Sequence, residues 1–341
     1  MKENENDLNL QNEDELFVPI NQNSIESEKI IAPRYSYWKS VFRIFFKKKM
    51  NILLIAAFVV IFIVSFAVPL FAPYDYLENV RLASSQNLNP QEAIRYFEKV
   101  KEENPLNLEN PEQVYGPWIK WILGTGPFGN SIFYGVISSS RTSLLLAVIC
   151  ASINMSIGIV IGAVWGYSKR LDAVMIVIYN IIANVPELLL LTVLVYIIGS
   201  GFWSFVFALT VTGWLGIAYF FRTQVMIIRD REYSLASRCL GTPIPRMISK
   251  NILPFLTSVI VTLLATHLPS YISYEVFLSY IGVGLSAKIP SLGRMIEQAQ
   301  SAFLTYPWEF WPPVFVAAAI TIILYLLGQN LADASDPRTH M

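Results

Sequence analysis

Charged residues are scarce in this sequence. Only 15% of its 341 residues are Asp, Glu, Lys or Arg, hydrophobic residues make up 54%, and the formal net charge is zero. A soluble domain carries about 25% charged residues, so the composition excludes an ordinary soluble protein. Several apolar runs reach the roughly 20 residues that a helix needs to cross a bilayer. The sequence therefore predicts an all-α polytopic membrane protein.

Residues that commonly carry chemistry are also rare. The chain has two cysteines and two histidines. Cys150 lies in an apolar run and Cys239 in a polar segment, so we expect no disulfide between them. The sequence has no Gly-rich loop ending in Lys-Ser/Thr and no His-Glu-x-x-His pair, so we expect neither bound nucleotide nor a metal or catalytic site on this chain. It also has no carboxylate ladder or inverted repeat that would indicate ion-coupled transport.

The chain begins with two segments of opposite charge. Residues 1–33 are polar and mostly acidic, a composition that predicts a disordered tail. Residues 34–50 mix basic and aromatic side chains, which predicts a helix lying at the membrane interface. Because basic clusters beside a first span mark the cytoplasmic side, we place the N-terminus in the cytoplasm.

Apolar runs predict six membrane spans in a permease domain of residues 51–341. The predicted spans are 51–72, 141–167, 172–199, 203–226, 255–284 and 312–331. Basic residues in the 2–3 turn and in the 4–5 segment place both on the cytoplasmic side, and the C-terminus with them. Residues 73–140 then form an extracellular loop. In this loop Asn89 is suited to cap a helix that begins at Pro90, with Ala93, Phe97 and Val100 on one face.

A charged segment separates spans 4 and 5 at residues 227–254. It contains "REYSLASRCLGTPIPRMISKNILP". Residues 232–240 predict a short amphipathic helix, Gly241 is placed for a left-handed cap, and Pro243 prevents continuation. A second short helix is expected over residues 245–250. Two short helices joined by glycine, between two spans, indicate an element that fits a socket on another protein.

This segment resembles the cytoplasmic coupling loop of ABC-importer permeases. In that family a Glu-Ala-Ala triplet is followed, after three intervening residues, by Gly. After nine more intervening residues comes a position that precedes x-Leu-Pro. Here the triplet position holds "LAS", and Gly241, Asn251 and Leu253-Pro254 follow at the family spacing. Leu235 replaces the family Glu, and Asn251 replaces the usual Ile.

The resemblance extends over roughly residues 35–341. "LGTGPFGNSIF" is similar to the first motif of peptide-type permeases, although Gly126 replaces the usual Asp and Asn130-Ser131 an Arg-Asp pair. "ISYEVFLSYIGVGL" and "NLADASDPR" resemble the C-type subunit of oligopeptide and dipeptide importers.

The resemblance implies a type I ABC-importer permease fold and a set of partners. These are a second homologous permease in a heterodimer, two ATP-binding subunits that hold ATP and Mg, an extracellular peptide-binding lipoprotein and membrane lipid, with no nucleic acid. It implies the plasma membrane of a Gram-positive bacterium. The residues implied to contact the ATPase are Glu232, Leu235, Ala236, Ser237, Arg238, Gly241 and Pro245. Alternatives are a permease for dipeptides, nickel chelates or glutathione, an ion-coupled secondary transporter, and a membrane enzyme.

Polar and small residues inside the spans form three further sets. Four-residue steps predict close helix packing at Asn154, Gly158, Gly162 and Gly166, with a peptide path along that face as the alternative. Ionisable groups at membrane depth normally face the interior or a wet cavity. On that ground we expect the translocation pathway to be lined by Asn180, Asn184, Glu187, Thr266, Ser270 and Glu275. The alternative for the span 3 residues is an interhelical network. Glu275 could meet a peptide's amino terminus or pair with another subunit. We expect His267 to be structural.

Overall fold

The protein is helical throughout the part described by the computed structural model, which covers residues 37–71, 85–103, 118–286 and 288–335. The predicted acidic tail, residues 1–33, lies outside these ranges. The helices are α1 Tyr37–Lys47, α2 Lys49–Phe71, α3 Pro90–Glu103, α4 Ile132–Tyr167, α5 Lys169–Ala183, α6 Glu187–Ile198, α7 Phe202–Arg229, α8 Glu232–Cys239, α9 Ile244–Arg246, α10 Thr257–Tyr280, α11 Leu292–Ala299 and α12 Pro307–Ser335.

Five helical segments within the described residues are long and apolar enough to cross a membrane. They are α2, α4, α7, the continuous helical run Ile244–Tyr280 and α12. A sixth span consists of α5 and α6, which are bent by 83° relative to each other. The six-helix membrane architecture predicted from the sequence is therefore present, with one span broken.

The third span, predicted over residues 172–199, is divided into two helices. Helix α5 ends at Ala183, and α6 begins only at Glu187. Pro186 cannot donate a backbone hydrogen bond into the preceding turn, and it disfavours helical geometry at Val185. Pro186 instead accepts the first bond of the new helix, from Leu190 N at 3.1 Å. Span 3 is therefore two helices with a corner between them.

Span 2 is longer than its hydropathy indicated. Helix α4 starts at Ile132 rather than at residue 141, and its N-cap is Ser131, whose side chain accepts a hydrogen bond from Tyr134 N. The extra turns contain the buried serines Ser138, Ser139 and Ser140. A hydropathy pattern counts serine as polar, but Ser140 Oγ donates a hydrogen bond to Val136 O at 2.7 Å, within the same helix. Part of the predicted extracellular loop is therefore helix.

The helices between α9 and α10 differ from the short isolated helix expected at residues 245–250. Helix α9 continues into a π-helix, Met247–Ile252, and a 3₁₀ turn, Leu253–Leu256. Pro254 therefore does not separate the segment from span 5.

Hydrogen bonds identify which connections share an end of the bundle. Lys48 Nζ donates to Asn330 Oδ1 at 3.3 Å, and Ser335 Oγ donates to Ser258 Oγ at 3.3 Å. These bonds place the start of α2, the end of α12 and the start of α10 together. At the opposite end, Ser286 N in the 5–6 loop donates to Ser200 O in the 3–4 turn at 2.8 Å.

A small helical unit precedes α4, as predicted. Asn89 Oδ1 accepts from Glu92 N at 2.8 Å, and Glu92 Oε2 accepts from Asn89 N at 3.2 Å, so the two side chains form a capping box at the start of α3. Ala93, Phe97 and Val100 are buried. The Phe97 ring stacks on Trp121 with 3.5 Å between ring centroids. Trp121 thus covers the apolar face of α3.

Candidate coupling segment and transport cavity

Helix α8 ends in a left-handed turn at Gly241. The φ angle of Gly241 is +77°, and Gly241 N donates to Arg238 O at 3.0 Å while Thr242 N donates to Ser237 O at 3.3 Å. This pair of bonds is the Schellman arrangement, which satisfies carbonyls that a helix end otherwise leaves open. Only glycine adopts this φ without a steric cost. The glycine predicted to reverse the chain does so.

Side-chain hydrogen bonds hold α8 against the helical run that follows it. Asn251 Nδ2 donates to Ser237 Oγ at 2.8 Å, and Ser237 Oγ lies 3.0 Å from Thr242 Oγ1. The Tyr233 ring packs on Phe255 with centroids 5.1 Å apart. Ser237, in the triplet, and Asn251, in place of Ile, both depart from the family pattern. These two side chains therefore contact each other. The sequence pattern gave no indication of this bond.

The remaining residues of the segment form an apolar surface with charged neighbours. Leu240 is 86% exposed, Leu235 is 45% exposed and Tyr233 is 41% exposed. Ser237 is half-buried, and the other residues predicted to contact the ATPase are exposed: Glu232, Ala236, Arg238, Gly241 and Pro245. Exposed leucines on a short polar element are typical of a protein contact surface.

The base of this segment is embedded in the bundle. Met247, Ile248 and Ile252 are buried in one apolar cluster with Phe221 and Val225 of α7. The same cluster includes Leu263 of α10, so the base of the segment, α7 and α10 share one packed interior.

A polar network ties α4, α5 and α7 together at the same end. Asp172 Oδ1 accepts from Trp165 Nε1 at 2.8 Å and from Arg222 Nε. Arg229 Nη1 donates to Gly166 O at 2.9 Å. Its guanidinium also donates two hydrogen bonds to Asp230, which lower the pKa of that carboxyl from its ordinary value. Sequence patterns do not reveal this network, because α4, α5 and α7 contribute members that are far apart in the chain.

A cavity of about 450 Å³ opens at the corner between α5 and α6. Asn184 and Glu187 line it from the broken span, and His267, Tyr271 and Tyr274 line it from α10. Tyr274 Oη donates to Glu187 Oε2 at 3.0 Å. The break at Pro186 thus turns a carboxylate and an amide toward the side chains of span 5. His267, which we expect to be structural, is also part of this lining.

Three other residues predicted to line the pathway are not part of this cavity. Thr266 Oγ1 donates to Thr262 O at 3.2 Å, and Ser270 Oγ donates to Thr266 O at 2.8 Å, so both hydroxyls are satisfied within α10. Asn180 is exposed one turn before Asn184, and its carbonyl accepts from Asn184 Nδ2 at 2.5 Å.

The placement of Glu275 argues against the prediction that it lines the pathway. Its side chain is fully buried. Ser143 Oγ donates to Glu275 Oε2 at 2.8 Å, and Ser279 Oγ donates to Oε1 at 3.1 Å. Ser143 also accepts from Leu292 N at 3.2 Å. Glu275 therefore joins α10 to α4 and to the start of α11, which satisfies the carboxylate without a ligand.

The small residues of α4 lie against α7. An added Cβ at Gly158 would meet Ile217 Cβ at 2.8 Å, and one at Gly166 would meet Val225 Cβ at 3.0 Å. Asn154 Nδ2 donates to Leu209 O at 3.1 Å and to Tyr271 Oη at 2.6 Å. The geometry is one of close helix contact, with an amide that joins three spans.

Comparison with known protein families matches two parts of this chain. Residues 158–341 match the family described as binding-protein-dependent transport system inner membrane component. Residues 36–90 match the N-terminal TM domain of oligopeptide transport permease C. The chain belongs to this family of transport permeases. The matched residues include the coupling segment, the cavity and α12.

Curated relatives resemble the chain over nearly their whole length. The oligopeptide transport system permease protein AmiD of Streptococcus pneumoniae is 43% identical over 96% of this chain and 98% of its own. The oligopeptide permease protein OppC of Bacillus subtilis is 31% identical over 95% of this chain and 97% of its own. The dipeptide transport system permease protein DppC of the same species is 30% identical over 95% of this chain and 93% of its own. This permease is thus a multi-pass membrane protein.

Proposed function

We propose that this permease is the C-type subunit of an ATP-driven oligopeptide importer. The observation that carries the proposal is the exposed surface of α8, with Leu235 and Leu240 turned outward from a firmly anchored base. The similarity to oligopeptide permeases supports the choice of substrate. In this role the chain does no covalent chemistry, and ATP and Mg are held by the partners.

Exposed parts of the described structure support the proposed partners. Two ATP-binding subunits sit on the cytoplasmic face, one against α8 of this chain and one against a second, homologous permease. Helix α5 buries none of its residues within this chain, although it carries Asn180. Polar side chains facing lipid are costly, so α5 and the cavity beside it face the second permease in a heterodimer. A peptide-binding lipoprotein delivers the substrate on the extracellular side.

Charge supports the orientation in the plasma membrane. The end that holds α8 also holds the 2–3 turn with Lys169 and Arg170, so it faces the cytoplasm by the positive-inside rule. Both termini then lie in the cytoplasm. The basic segment of residues 34–50 lies along that surface as an interfacial helix.

ATP binding and hydrolysis act on this permease through α8. Movement of α8 shifts α7 and α10 by way of Met247 and Ile252, which are buried against them. Because the cavity lies between α5–α6 and α10, the same movement changes access to it. Glu187 and Asn184 thus belong to this subunit's half of the translocation pathway.

The test is uptake of a labelled oligopeptide into vesicles that contain the complete transporter. We expect uptake to require ATP on the side of the membrane that carries the ATP-binding subunits. Uptake should persist when ionophores collapse ion gradients. Uptake that follows an ion gradient and ignores ATP would overturn the proposal in favour of a secondary transporter.

A further inference from the structure

The transport cavity carries an uneven charge. With histidine neutral, Glu187 is the sole formally charged side chain among the described residues that line it. The walls otherwise consist of apolar side chains, tyrosines, Asn184 and His267. Glu187 is exposed in this subunit, and apolar walls beside a carboxylate strengthen its attraction for a cation relative to bulk water.

The carboxylate of Glu187 is held in position but not saturated. Tyr274 Oη donates to Oε2, which is the only hydrogen bond of this carboxylate to the described residues. Each carboxylate oxygen can accept two hydrogen bonds. Oε1 is therefore open to a donor in the cavity, whereas both oxygens of the buried Glu275 already accept bonds from serines.

We infer that Glu187 receives the α-ammonium group of the peptide as it passes through this subunit. This inference rests on the proposed transport function and assigns a substrate group to one wall of the pathway. A peptide always carries an ammonium group at one end, and its three N–H donors suit a carboxylate. The cavity volume, about 450 Å³, falls within the roughly 300–1,000 Å³ of typical ligand pockets. The first residues of a peptide fit beside Glu187, and its carboxylate end lies away from this wall.

The experiment compares two peptides in proteoliposomes that contain the whole transporter. One peptide has a free α-amino group, and its analogue carries a hydroxyl at the same carbon. The binding protein is supplied saturated with either peptide, and its occupancy is measured separately, so the maximal uptake rate reports on the permease. The variants are Glu187→Gln, Glu187→Asp and Tyr274→Phe, with Glu98→Gln on the exposed face of α3 as the control for loss of one carboxylate.

We expect wild-type protein to carry the amino peptide faster than the hydroxy analogue. Glu187→Gln should lower the maximal rate for the amino peptide about tenfold, as loss of one hydrogen bond to a charged group would, with little change for the analogue. Glu187→Asp should retain part of the preference, Tyr274→Phe should weaken it, and Glu98→Gln should leave it intact.

Two results would overturn the inference. Equal losses for both peptides would mean that Glu187 supports the fold or pairs with the second permease. An unchanged rate for the amino peptide in Glu187→Gln would mean that the carboxylate does not meet the substrate. Failure of the wild-type transporter to take up the amino peptide with ATP would instead refute the proposed function itself.

Discussion

Replacement of Gly241 by valine tests whether the turn after α8 couples transport to ATP hydrolysis. An added Cβ at Gly241 meets no atom within 4 Å, so the substitution is not blocked by a neighbour. The cost arises from the backbone, because φ is +77°. For an L-residue this conformation costs roughly 1–2 kcal/mol, which corresponds to a factor of about 5–30 in the population of the native turn.

The matched control is Gly282→Val at the opposite end of the bundle. Gly282 has a φ of +83°, and an added Cβ there also meets nothing within 4 Å. The two substitutions therefore impose the same kind of local strain at opposite faces. A third variant, Gly241→Asn, keeps the position occupied by a side chain that tolerates positive φ better than valine.

The assay measures peptide uptake and peptide-stimulated ATPase activity of the assembled transporter at equal permease levels. Gly241→Val should lower both activities together, by up to about 30-fold if the native turn is required for coupling. Gly241→Asn should lower them less, and Gly282→Val, at the opposite end of the bundle, should leave both activities near the wild-type level. Normal uptake by well-inserted Gly241→Val would refute the assignment of the coupling element.

Three further predictions concern topology, the tail and helix packing. Cys239 is exposed and Cys150 is buried, so an impermeant maleimide should spare intact cells and label Cys239 in inside-out vesicles stripped of ATPases. Labelling should slow when the ATPases are returned, and a Cys239→Ser variant should lose the signal. Labelling of Cys239 from outside would invert the topology. Deletion of residues 1–30 should leave uptake near normal, and lost uptake at normal expression would show that the tail acts in transport. Gly162→Ala should destabilise purified protein by about 1–3 kcal/mol, because the new Cβ would lie 3.0 Å from Ala218 Cα; unchanged thermal unfolding would contradict this packing.

Periodicity and composition were sufficient to identify the main elements of this permease. Apolar runs of membrane length revealed the spans, because hydrophobic length is set by bilayer thickness and not by neighbours. Helix α3 and its cap could also be predicted, because their signal is local. Asn89 and Glu92 satisfy each other within one turn, so the signal lies in four adjacent residues. Gly241 was readable because a positive φ is a local demand.

Only the tertiary structure decided what the polar residues inside the spans do. Glu275 and Glu187 are both carboxylates in apolar sequence, and the same rule about cost in lipid applied to both. Glu275 accepts a hydrogen bond from Ser143, which lies 132 residues away in the sequence. Glu187 instead lies beside an open cavity, at the corner that Pro186 produces. The sequence alone shows that an ionisable side chain lies in a membrane span, where its burial costs free energy. The group that offsets this cost comes from another helix, so it is determined by how the helices pack.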